Sequence, residues 1–398
     1  THNIQNATLV LKRIQDEEVC KEPMKKCGGL QTDLRRKLYI LNVYQTHSNS
    51  SYKDYFQMTN FTFTDSLIYF FDIEISVEKC LFQNSIVKGS GNLKNIIFER
   101  STWKWWIQEN QIISLKAFSF VLFKSCRFQD AKGAVSEISV FITQCYKVWL
   151  QFCYMLVSKS PIISVKSSLE VVIQNLSLTQ EETETDLSYY KDMNSFITIN
   201  QIDVFFLFKS QFYSTLHSVF EISMTRSVIF KEIQFQSCAT RGGQVVVLNV
   251  HNKPLLTKII IHNTHFINCN SALYIKLPQF DIFKNFIQLS HALKLLNLVN
   301  VFIDSSIFEE CYSNTKSSGS AIYIKGSPLL KKLIGHVTLQ DLIFKKNRAR
   351  NGGAVSISNI RTLWIINCTF TSNIANFSGG ASLKSGVGER LVISWENV

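Results

Sequence analysis

The chain has 398 residues, of which 46% are hydrophobic and 18% charged, and its formal net charge is +12 at pH 7. This hydrophobic fraction, together with so few charges, excludes a disordered chain. Five prolines and 16 glycines exclude a collagen-like or linker-rich protein. No apolar run reaches the roughly 18 residues that a membrane-spanning helix needs.

Residues 1–50 differ in pattern from the rest of the chain. The stretches 14–19 and 33–38 predict short helices, whereas short alternating apolar segments follow them. Stacked strands need their open end covered, because an exposed strand edge invites association. We therefore expect residues 1–50 to form a small, partly helical N-terminal cap or lead-in. Residues 51–398 are expected to form one β domain that continues beyond residue 398 in the full-length protein.

Two cysteines lie in this first segment. Cys20 and Cys27 are separated by six residues and are followed by Gly28 and Gly29. This spacing predicts a small disulfide loop in an exported protein. A metal site is not expected, because neither a Cys-x-x-Cys motif nor paired histidines accompany the two cysteines.

A tryptophan cluster at residues 103–106 is a first candidate contact site. On a strand, Trp103 and Trp105 share one face and Trp106 takes the other. At least one indole is then outward, as at many protein interfaces. The competing interpretation is that the cluster packs inside the protein.

A second candidate contact site is an acidic segment with aromatic residues. Glu181 and Glu182 begin the acidic run, and Tyr189 and Tyr190 follow it. The segment lies between strand-like stretches, so we expect a loop that docks on a basic patch of another chain. The alternative is a solvated loop without a partner.

The clearest internal repeat lies near the C-terminal end. Phe344 and Phe370, 26 residues apart, each begin the pattern Phe-x-x-Asn-x-Ala, which continues through Gly-Gly-Ala into an apolar segment. Asn347 and Asn373 occupy the asparagine position. A repeat of this length is typical of solenoid proteins, in which each unit packs on its neighbours.

Weaker copies of the unit extend upstream. Phe235, Phe266 and Phe308 each precede a cysteine by three residues, at the position that asparagine holds in the later copies. Equivalent residues of stacked strands lie about 4.8 Å apart. We therefore expect these phenylalanines, with Phe344 and Phe370, to stack in one internal ladder, and Asn347 and Asn373 to form a hydrogen-bonded ladder.

The segments between turn signals are short and rich in Val, Ile, Phe, Tyr and Thr, as is typical of strands. No leucine-rich pattern recurs, and the unit of about two dozen residues is shorter than a propeller blade. The sequence therefore predicts an all-β fold, a parallel β-helix of about 14 rungs.

The pattern Phe-x-x-Asn-x-Ala followed by Gly-Gly-Ala resembles the repeat of chlamydial polymorphic outer-membrane proteins and of related right-handed β-helix proteins. Large predicted surface proteins of ciliated protists have similar repeats. The close match covers about residues 342–383, and degenerate copies extend it to about residues 80–383. The resemblance implies a right-handed helix that acts as a surface adhesin or recognition scaffold. Three units have cysteine in place of asparagine, and bacterial membrane anchoring is not carried over.

The cysteines of the repeat suggest a further disulfide. Cys238 and Cys269 occupy equivalent positions of successive units, and a separation of about 4.8 Å between Cα atoms allows a disulfide. We predict this pair, with Cys145 and Cys153 as a second, less favoured one. The alternative for each is a free thiol that fills the core.

Sequons and cysteines together point to a compartment. An even number of cysteines, ten in all, and six Asn-x-Ser/Thr sequons predict an extracellular or cell-surface glycoprotein of the secretory pathway. The predicted glycosylation sites are Asn6, Asn49, Asn60, Asn175, Asn367 and Asn376.

The acidic residues do not suggest an active site. Carbohydrate-active β-helix enzymes need carboxylates clustered on one face, but Asp130, Asp304 and Asp341 occupy different positions of their units. His262 and His265 are three residues apart, which on a strand places them on opposite faces. We therefore expect no enzymatic activity, no metal and no cofactor.

Basic residues cluster in one turn, at Lys345, Lys346, Arg348 and Arg350. Together with the net charge, they suggest an anionic partner such as an acidic glycan or protein. The alternative is that they solvate one loop. Nucleic acid is not expected, because no recognised binding module is present.

These features predict a non-catalytic extracellular scaffold for adhesion, recognition or assembly. Its long β-helix surface and loops would bind other proteins in a cell-surface complex, and it would associate with membranes only through regions outside this chain. The alternative function is a carbohydrate-active β-helix enzyme, either a polysaccharide lyase or a glycosidase.

Overall fold

The computed structural model describes most of the chain after residue 54 and two short segments before it. The described residues are 7–13, 39–45, 55–64, 66–105, 112–130, 140–157, 163–180, 195–239, 244–249, 258–276, 300–313, 320–325, 336–351, 353–378, 382–383 and 390–394. The chain divides into two units. The first contains residues 1–169 and 181–188, and the second contains residues 170–180 and 189–398.

Every described element is a β-strand. The strands that begin in the first unit are β1 (Ala7–Arg13), β2 (Tyr39–Gln45), β3 (Tyr55–Thr59), β4 (Thr62–Thr64), β5 (Ser66–Phe71), β6 (Glu74–Glu78), β7 (Leu81–Gln83), β8 (Ile86–Ser90), β9 (Asn95–Glu99), β10 (Thr102–Trp105), β11 (Ile113–Lys116), β12 (Phe120–Lys124), β13 (Arg127–Asp130), β14 (Val140–Thr143), β15 (Lys147–Gln151), β16 (Tyr154–Val157) and β17 (Ile163–Gln174).

The strands of the second unit after β17 follow the same order. They are β18 (Ser177–Gln180), β19 (Ile197–Phe208), β20 (Gln211–Tyr213), β21 (Phe220–Ser223), β22 (Ser227–Gln236), β23 (Val246–Asn249), β24 (Lys258–Ile267), β25 (Leu273–Lys276), β26 (Asn300–Asp304), β27 (Ile307–Glu309), β28 (Ile322–Lys325), β29 (His336–Gln340), β30 (Ile343–Lys345), β31 (Arg348–Asn351), β32 (Val355–Ser358), β33 (Thr362–Ile366), β34 (Thr369–Thr371), β35 (Ile374–Ser378), β36 (Ser382–Leu383) and β37 (Arg390–Ser394).

Each coil of the first unit has three sides, and each side pairs in parallel with the same side of the next coil. Side A contains β3, β6, β9, β12 and β15. Side B contains β4, β7, β10, β13 and β16. Side C contains β2, β5, β8, β11, β14 and the start of β17. The exception is β1, which is antiparallel to β2.

The second unit repeats this three-sided pattern. Side A contains the ends of β19 and the starts of β22 and β24, followed by β26, β29, β33 and β37. Side B contains β18, β20, the ends of β22 and β24, β27, β30 and β34. Side C contains the start of β19, then β21, β23, β25, β28, β32 and β36. A separate parallel pair joins β31 to β35.

Single residues with positive φ form the corners between sides. At the corner from side A to side B, Lys79, Arg100 and Ser125 have φ values of 53°, 50° and 53°. Their N–H groups donate to the carbonyls of Glu99, Lys124 and Gln151 in the next coil, at 2.8–2.9 Å. The left-handed conformation costs about 1–2 kcal/mol for such residues, so the hydrogen bonds between coils offset a local strain.

The residue after most corners points inward, and the strands alternate between buried and outer positions. On side B the buried position holds an aromatic ladder. In the second unit Phe212, Phe235, Phe266, Phe308, Phe344 and Phe370 stack in one file, with neighbouring ring centroids 4.7–5.2 Å apart. The first unit has a file of its own, which consists of Phe63, Phe82, Trp103 and Phe128 at 5.0–5.2 Å.

Two glycines are required by close packing. A Cβ atom at Gly91 would lie 2.1 Å from the ring of Phe118, which is fully buried. A Cβ atom at Gly353 would lie 2.4 Å from the carbonyl oxygen of Ile374 in the next coil. At Gly353, the repeat therefore requires glycine because the next coil lies too close for a side chain, and not because the backbone has a positive φ.

The described residues are thus all-β with long series of parallel strands, an arrangement consistent with a β-solenoid. No helix occurs among them. The two stretches predicted to be helical, 14–19 and 33–38, lie outside the described residues, so the helical cap stays a prediction. Within residues 1–50, β2 already pairs in parallel with β5.

The aromatic ladder makes a prediction for stability. Phe308 is fully buried between Phe266 and Phe344, so Phe308→Ala should lower the free energy of unfolding by about 3–5 kcal/mol because it leaves a cavity. Urea denaturation followed by circular dichroism measures this loss. The control is Glu309→Ala, which removes an outer ion pair to Lys345 and should cost less than about 1 kcal/mol. Equal losses for the two variants would contradict an internal ladder.

Candidate functional site

One internal column lies at the corner between sides B and C of the second unit. Its members share the position three residues after each ladder phenylalanine and are, in order, Thr215, Cys238, Cys269, Cys311, Asn347 and Asn373. Asn347 is fully buried. Its amide nitrogen donates to the carbonyl of Phe308 and to Oδ1 of Asn373, both at 2.9 Å. Its Oδ1 accepts from the backbone N–H of Cys311 at 2.9 Å.

Asn373 repeats this arrangement one coil further on. Its amide nitrogen donates to the carbonyl of Phe344 at 3.0 Å, and its Oδ1 accepts from the backbone N–H of Asn347 at 3.0 Å. Each asparagine therefore hydrogen-bonds the backbone of the neighbouring coils. The column is a structural hydrogen-bond ladder, and buried amides of this kind stabilise the stacking because they satisfy backbone groups that are shielded from solvent.

The three cysteines of the column are buried free thiols. The thiols of Cys238 and Cys269 donate to the carbonyls of Phe212 and Phe235 at 3.3 and 3.6 Å. The predicted disulfide between them is therefore not formed in the structure, and Cys145 and Cys153 are also free. Burial raises the pKa of the Cys269 thiol, and it raises the pKa of Cys311 to about 12.

Four other cysteines follow a rule that the repeat pattern did not reveal. Cys80, Cys126, Cys153 and Cys368 lie directly after the corner from side A to side B, two residues before the ladder position. Cys126 and Cys153 donate to the carbonyls of Phe98 and Phe123 at 3.3 and 3.4 Å. For Cys80, Cys126 and Cys368, a small residue that follows a polar one and precedes Phe by two was the signal that could have located this column. Cys153 lacks this signal, because it follows Phe152 and precedes Met155 by two.

The tryptophan cluster contains a core residue. Trp103 is fully buried and stacks between Phe82 and Phe128 at 5.0 Å on each side. This corrects its assignment as a partner contact, because it takes the ladder position of side B, where the strand points its side chain inward. The side chain of Trp105 and all of Trp106 lie outside the described residues.

Several predicted sites lie outside the described residues and stay predictions. These are the disulfide Cys20–Cys27, the acidic site formed by Glu181, Glu182, Tyr189 and Tyr190, and the sequons Asn6 and Asn49.

The basic cluster is partly neutralised by the preceding coil. Lys345 Nζ lies 2.7 Å from Glu309 Oε1, and Lys346 Nζ lies 3.0 Å from Glu310 Oε1. The hydrogen bond to Glu310, together with the charge of that carboxylate, raises the pKa of Lys346. Arg348 is exposed on β31, and Arg350 is exposed two residues further along. The cluster therefore carries less free positive charge than the sequence suggests.

Three sequons share one structural position. Asn60, Asn175 and Asn367 have φ values of 62°, 51° and 48°, and each forms the corner from side A to side B of its own coil. Asparagine tolerates this conformation better than most residues, so it is well suited to these corners. Asn60 and Asn367 are exposed, as is Asn376 on β35.

Two carboxylates of the second unit that the sequence singled out are engaged in separate pairs. Asp304 Oδ2 lies 2.8 Å from His262 Nδ1, and Asp341 Oδ1 accepts from the amide of Asn367 at 2.7 Å. His265 lies on side B, beyond the corner at Asn263, whereas His262 lies on side A. In the described part of the chain, no three His, Cys, Asp or Glu side chains are placed to hold a metal ion.

On the outer face of side A in the second unit, apolar residues lie next to one another on several successive strands. Side A of the first unit has a shorter series, Ile97, Leu122 and Trp149. Outward positions of successive strands place Phe206 beside Ile229, Ile229 beside Ile260, and Ile260 beside Phe302. Thr338 follows, and beyond it is Trp364, whose side chain is 42% exposed. We call Phe206, Ile229, Ile260, Phe302 and Trp364 the apolar file. Sequence reasoning missed it, because it treated apolar runs only as a sign of strands.

Comparison with known proteins identifies no relative of this chain. No family model, no curated protein and no solved structure matches this chain. Among the described residues no helical segment could span a lipid bilayer. What the protein does must therefore be argued from its own residues.

The asparagine ladder predicts that removal of one side-chain amide strongly lowers the stability of the protein. Asn347→Ala leaves the carbonyl of Phe308 and the N–H of Cys311 without their partners, and each unsatisfied buried group costs about 1–3 kcal/mol. We expect a loss of about 2–5 kcal/mol in the free energy of unfolding, measured by urea denaturation. Lys346→Ala, at the neighbouring exposed residue, is the control and should cost much less. A loss no larger than the control's would show that the ladder does not stabilise the stack.

The buried thiols predict slow alkylation of the native protein. With a pKa of about 12, Cys311 is almost wholly protonated at pH 8, so its reaction with iodoacetamide should be on the order of 1,000-fold slower than that of a free cysteine. The rate should rise with pH until the pH passes this pKa. Mass spectrometry of native and urea-unfolded samples measures it, with the less buried Cys368 as the internal comparison. Rapid native labelling of Cys311, or a Cys238–Cys269 disulfide without reductant, would contradict this arrangement.

Proposed function

We propose that this chain is a right-handed parallel β-helix of about 14 rungs that serves as a non-catalytic recognition or assembly scaffold in a cell-surface protein complex. The observation that carries the proposal is the pairing of outer charges between coils. Glu309 with Lys345 and Glu310 with Lys346 each join a residue of one coil to a residue of the next. In these pairs the carboxylate of one coil is neutralised by the lysine of the next. Paired outer charges of this kind favour a broad binding surface over a catalytic cleft.

The first unit supports the proposal in the same way. Arg100 lies 3.8 Å from both Glu78 and Glu99, and Lys124 lies 3.1 Å from Glu99. Such exposed pairs contribute little to stability, about 0–1 kcal/mol each. Their positions along the corner instead fix a charge pattern, and patterned charge is what selects a partner and orients it during association.

The proposed location is the cell surface or the extracellular space. Exposed sequons at Asn60, Asn367 and Asn376 support it, because a glycan on these residues would project into solvent. The repeat that resembles polymorphic outer-membrane proteins also supports it. The proposed partners are other surface proteins and acidic glycans.

The test is chemical cross-linking on intact cells that express the protein. A reagent that does not cross membranes, followed by affinity purification and mass spectrometry, should give the protein with glycans at the exposed sequons and cross-linked to defined surface proteins. The purified chain should release no oligosaccharide from neutral or acidic polysaccharides. Turnover of a polysaccharide would instead favour the carbohydrate-active enzyme. Absence of cross-links together with bare sequons would reject the surface location.

A further inference from the structure

In the second unit, side A and side B differ in their outer residues. Side B alternates around the buried ladder, as in Gln234-Phe235-Gln236. Its outer face mixes polar residues with two neighbouring isoleucines, Ile307 and Ile343. Side A contains continuous apolar runs, such as Val228-Ile229-Phe230 and Ile259-Ile260-Ile261. Strands with one solvated face alternate, whereas strands covered on both faces are apolar throughout. Side A therefore has the composition of a sheet whose outer face is covered.

The apolar file is long and narrow. Five steps of about 4.8 Å separate Phe206 from Trp364, which gives a length of about 24 Å. The side A strands are five residues long, as in β26 and β33, so the face is about 17 Å wide. The resulting area of about 400 Å² is half of what one partner buries in a stable protein–protein interface, about 800 Å². This face is too small to hold a second copy of the chain through a flat contact.

A single α-helix fits these dimensions. A helix of about 16 residues is about 24 Å long, and its diameter of about 10 Å lies within the width of the face. Its apolar side chains recur every 5.4 Å along the axis, close to the coil spacing of about 4.8 Å. A helix that lies along the file therefore presents about one apolar position to each coil.

The residues that border the file give the expected charge of the partner. Lys258 borders Ile260 on one flank, and Lys231 borders Ile229 on the other, and both lysines are exposed. Lys231 also lies 3.7 Å from Glu232 in an exposed ion pair, and the border carboxylate Asp304 pairs with His262. Carboxylates on both edges of the helix's apolar stripe would face the two lysines, and the net charge of +12 adds a general attraction for an acidic partner.

We infer that the apolar file on side A of the second unit binds an amphipathic helix of a partner protein, whose apolar stripe is bordered by acidic residues. The inference rests on the proposed scaffold function, to which it adds the face and the chemistry of the partner. The stripe packs on Phe206, Ile229, Ile260, Phe302 and Trp364. This mode of recognition uses residues at i, i+3, i+4 and i+7 of the bound helix.

The test uses three synthetic 18-residue peptides and the intact chain. The first peptide has a leucine stripe bordered by glutamate, the second has the same composition in scrambled order, and the third has lysine borders. Fluorescence anisotropy measures each Kd. We expect the first peptide to bind at least about tenfold more tightly than the other two, and its affinity to fall with added salt because the borders are charged. Equal binding of all three, or none by the first, would overturn the inference.

Variants locate the bound peptide. Ile260→Asp should raise its Kd at least about tenfold, because it places a charge in the apolar contact. The matched control is Ile307→Asp, since Ile307 is half-buried on the outer face of side B in the coil of Phe302, and it should change the Kd less than about twofold. The milder Ile260→Gln, with circular dichroism of each variant, guards against a folding defect. A larger effect from Ile307→Asp would overturn the inference.

A last measurement needs no substitution in the protein. A photoreactive residue in the leucine stripe should cross-link to side A strands of the second unit rather than to β27 or β30. Sedimentation of the chain alone tests whether a second copy of the chain, rather than a helix of a partner protein, occupies the apolar file. A dimer that Ile260→Asp abolishes would make a second copy the natural occupant and would overturn the inference. Failure of the peptide, with surface partners still cross-linked elsewhere, would leave the proposed function intact.

Discussion

Parallel hydrogen bonding between successive coils is the constraint on which the rest of the structure depends. Because each side pairs in register with the same side of the next coil, like positions lie above like positions at one strand spacing. One choice of residue is therefore repeated along a whole column. The aromatic ladder, the asparagine ladder and the buried thiols are all consequences of this register.

The corners supply the second constraint. A single left-handed residue turns the chain from one side to the next, and its N–H continues the ladder of hydrogen bonds between coils. At several corners the residue that follows points inward into a tight space, which a thiol, a hydroxyl or an amide fills while bonding a carbonyl of the neighbouring coil. Cysteine and asparagine share one column for this reason, since both are small and both can donate.

The same register also aligns the outer residues of successive coils. Each outer face therefore contains columns of residues, some charged and some apolar. Outer charges of one coil pair with those of the next, as in Lys345 with Glu309. The outer apolar residues of side A join into a file through the same strand pairing. A scaffold of this kind needs no cleft to recognise a partner, because its specificity lies in which columns are apolar and which are charged.

The sequence by itself determined the repeat, the all-strand character and the identity of the ladder residues, because a repeated contact demands a repeated residue type. It could not decide that Trp103 is internal, because degenerate copies hide the register in which it takes the place of a phenylalanine. It also could not show the left-handed corners, since lysine, arginine and serine occupy them without a glycine signal. Only the tertiary structure decided which residues of separate strands join into the apolar file, because adjacency between coils depends on register and on insertions of varying length.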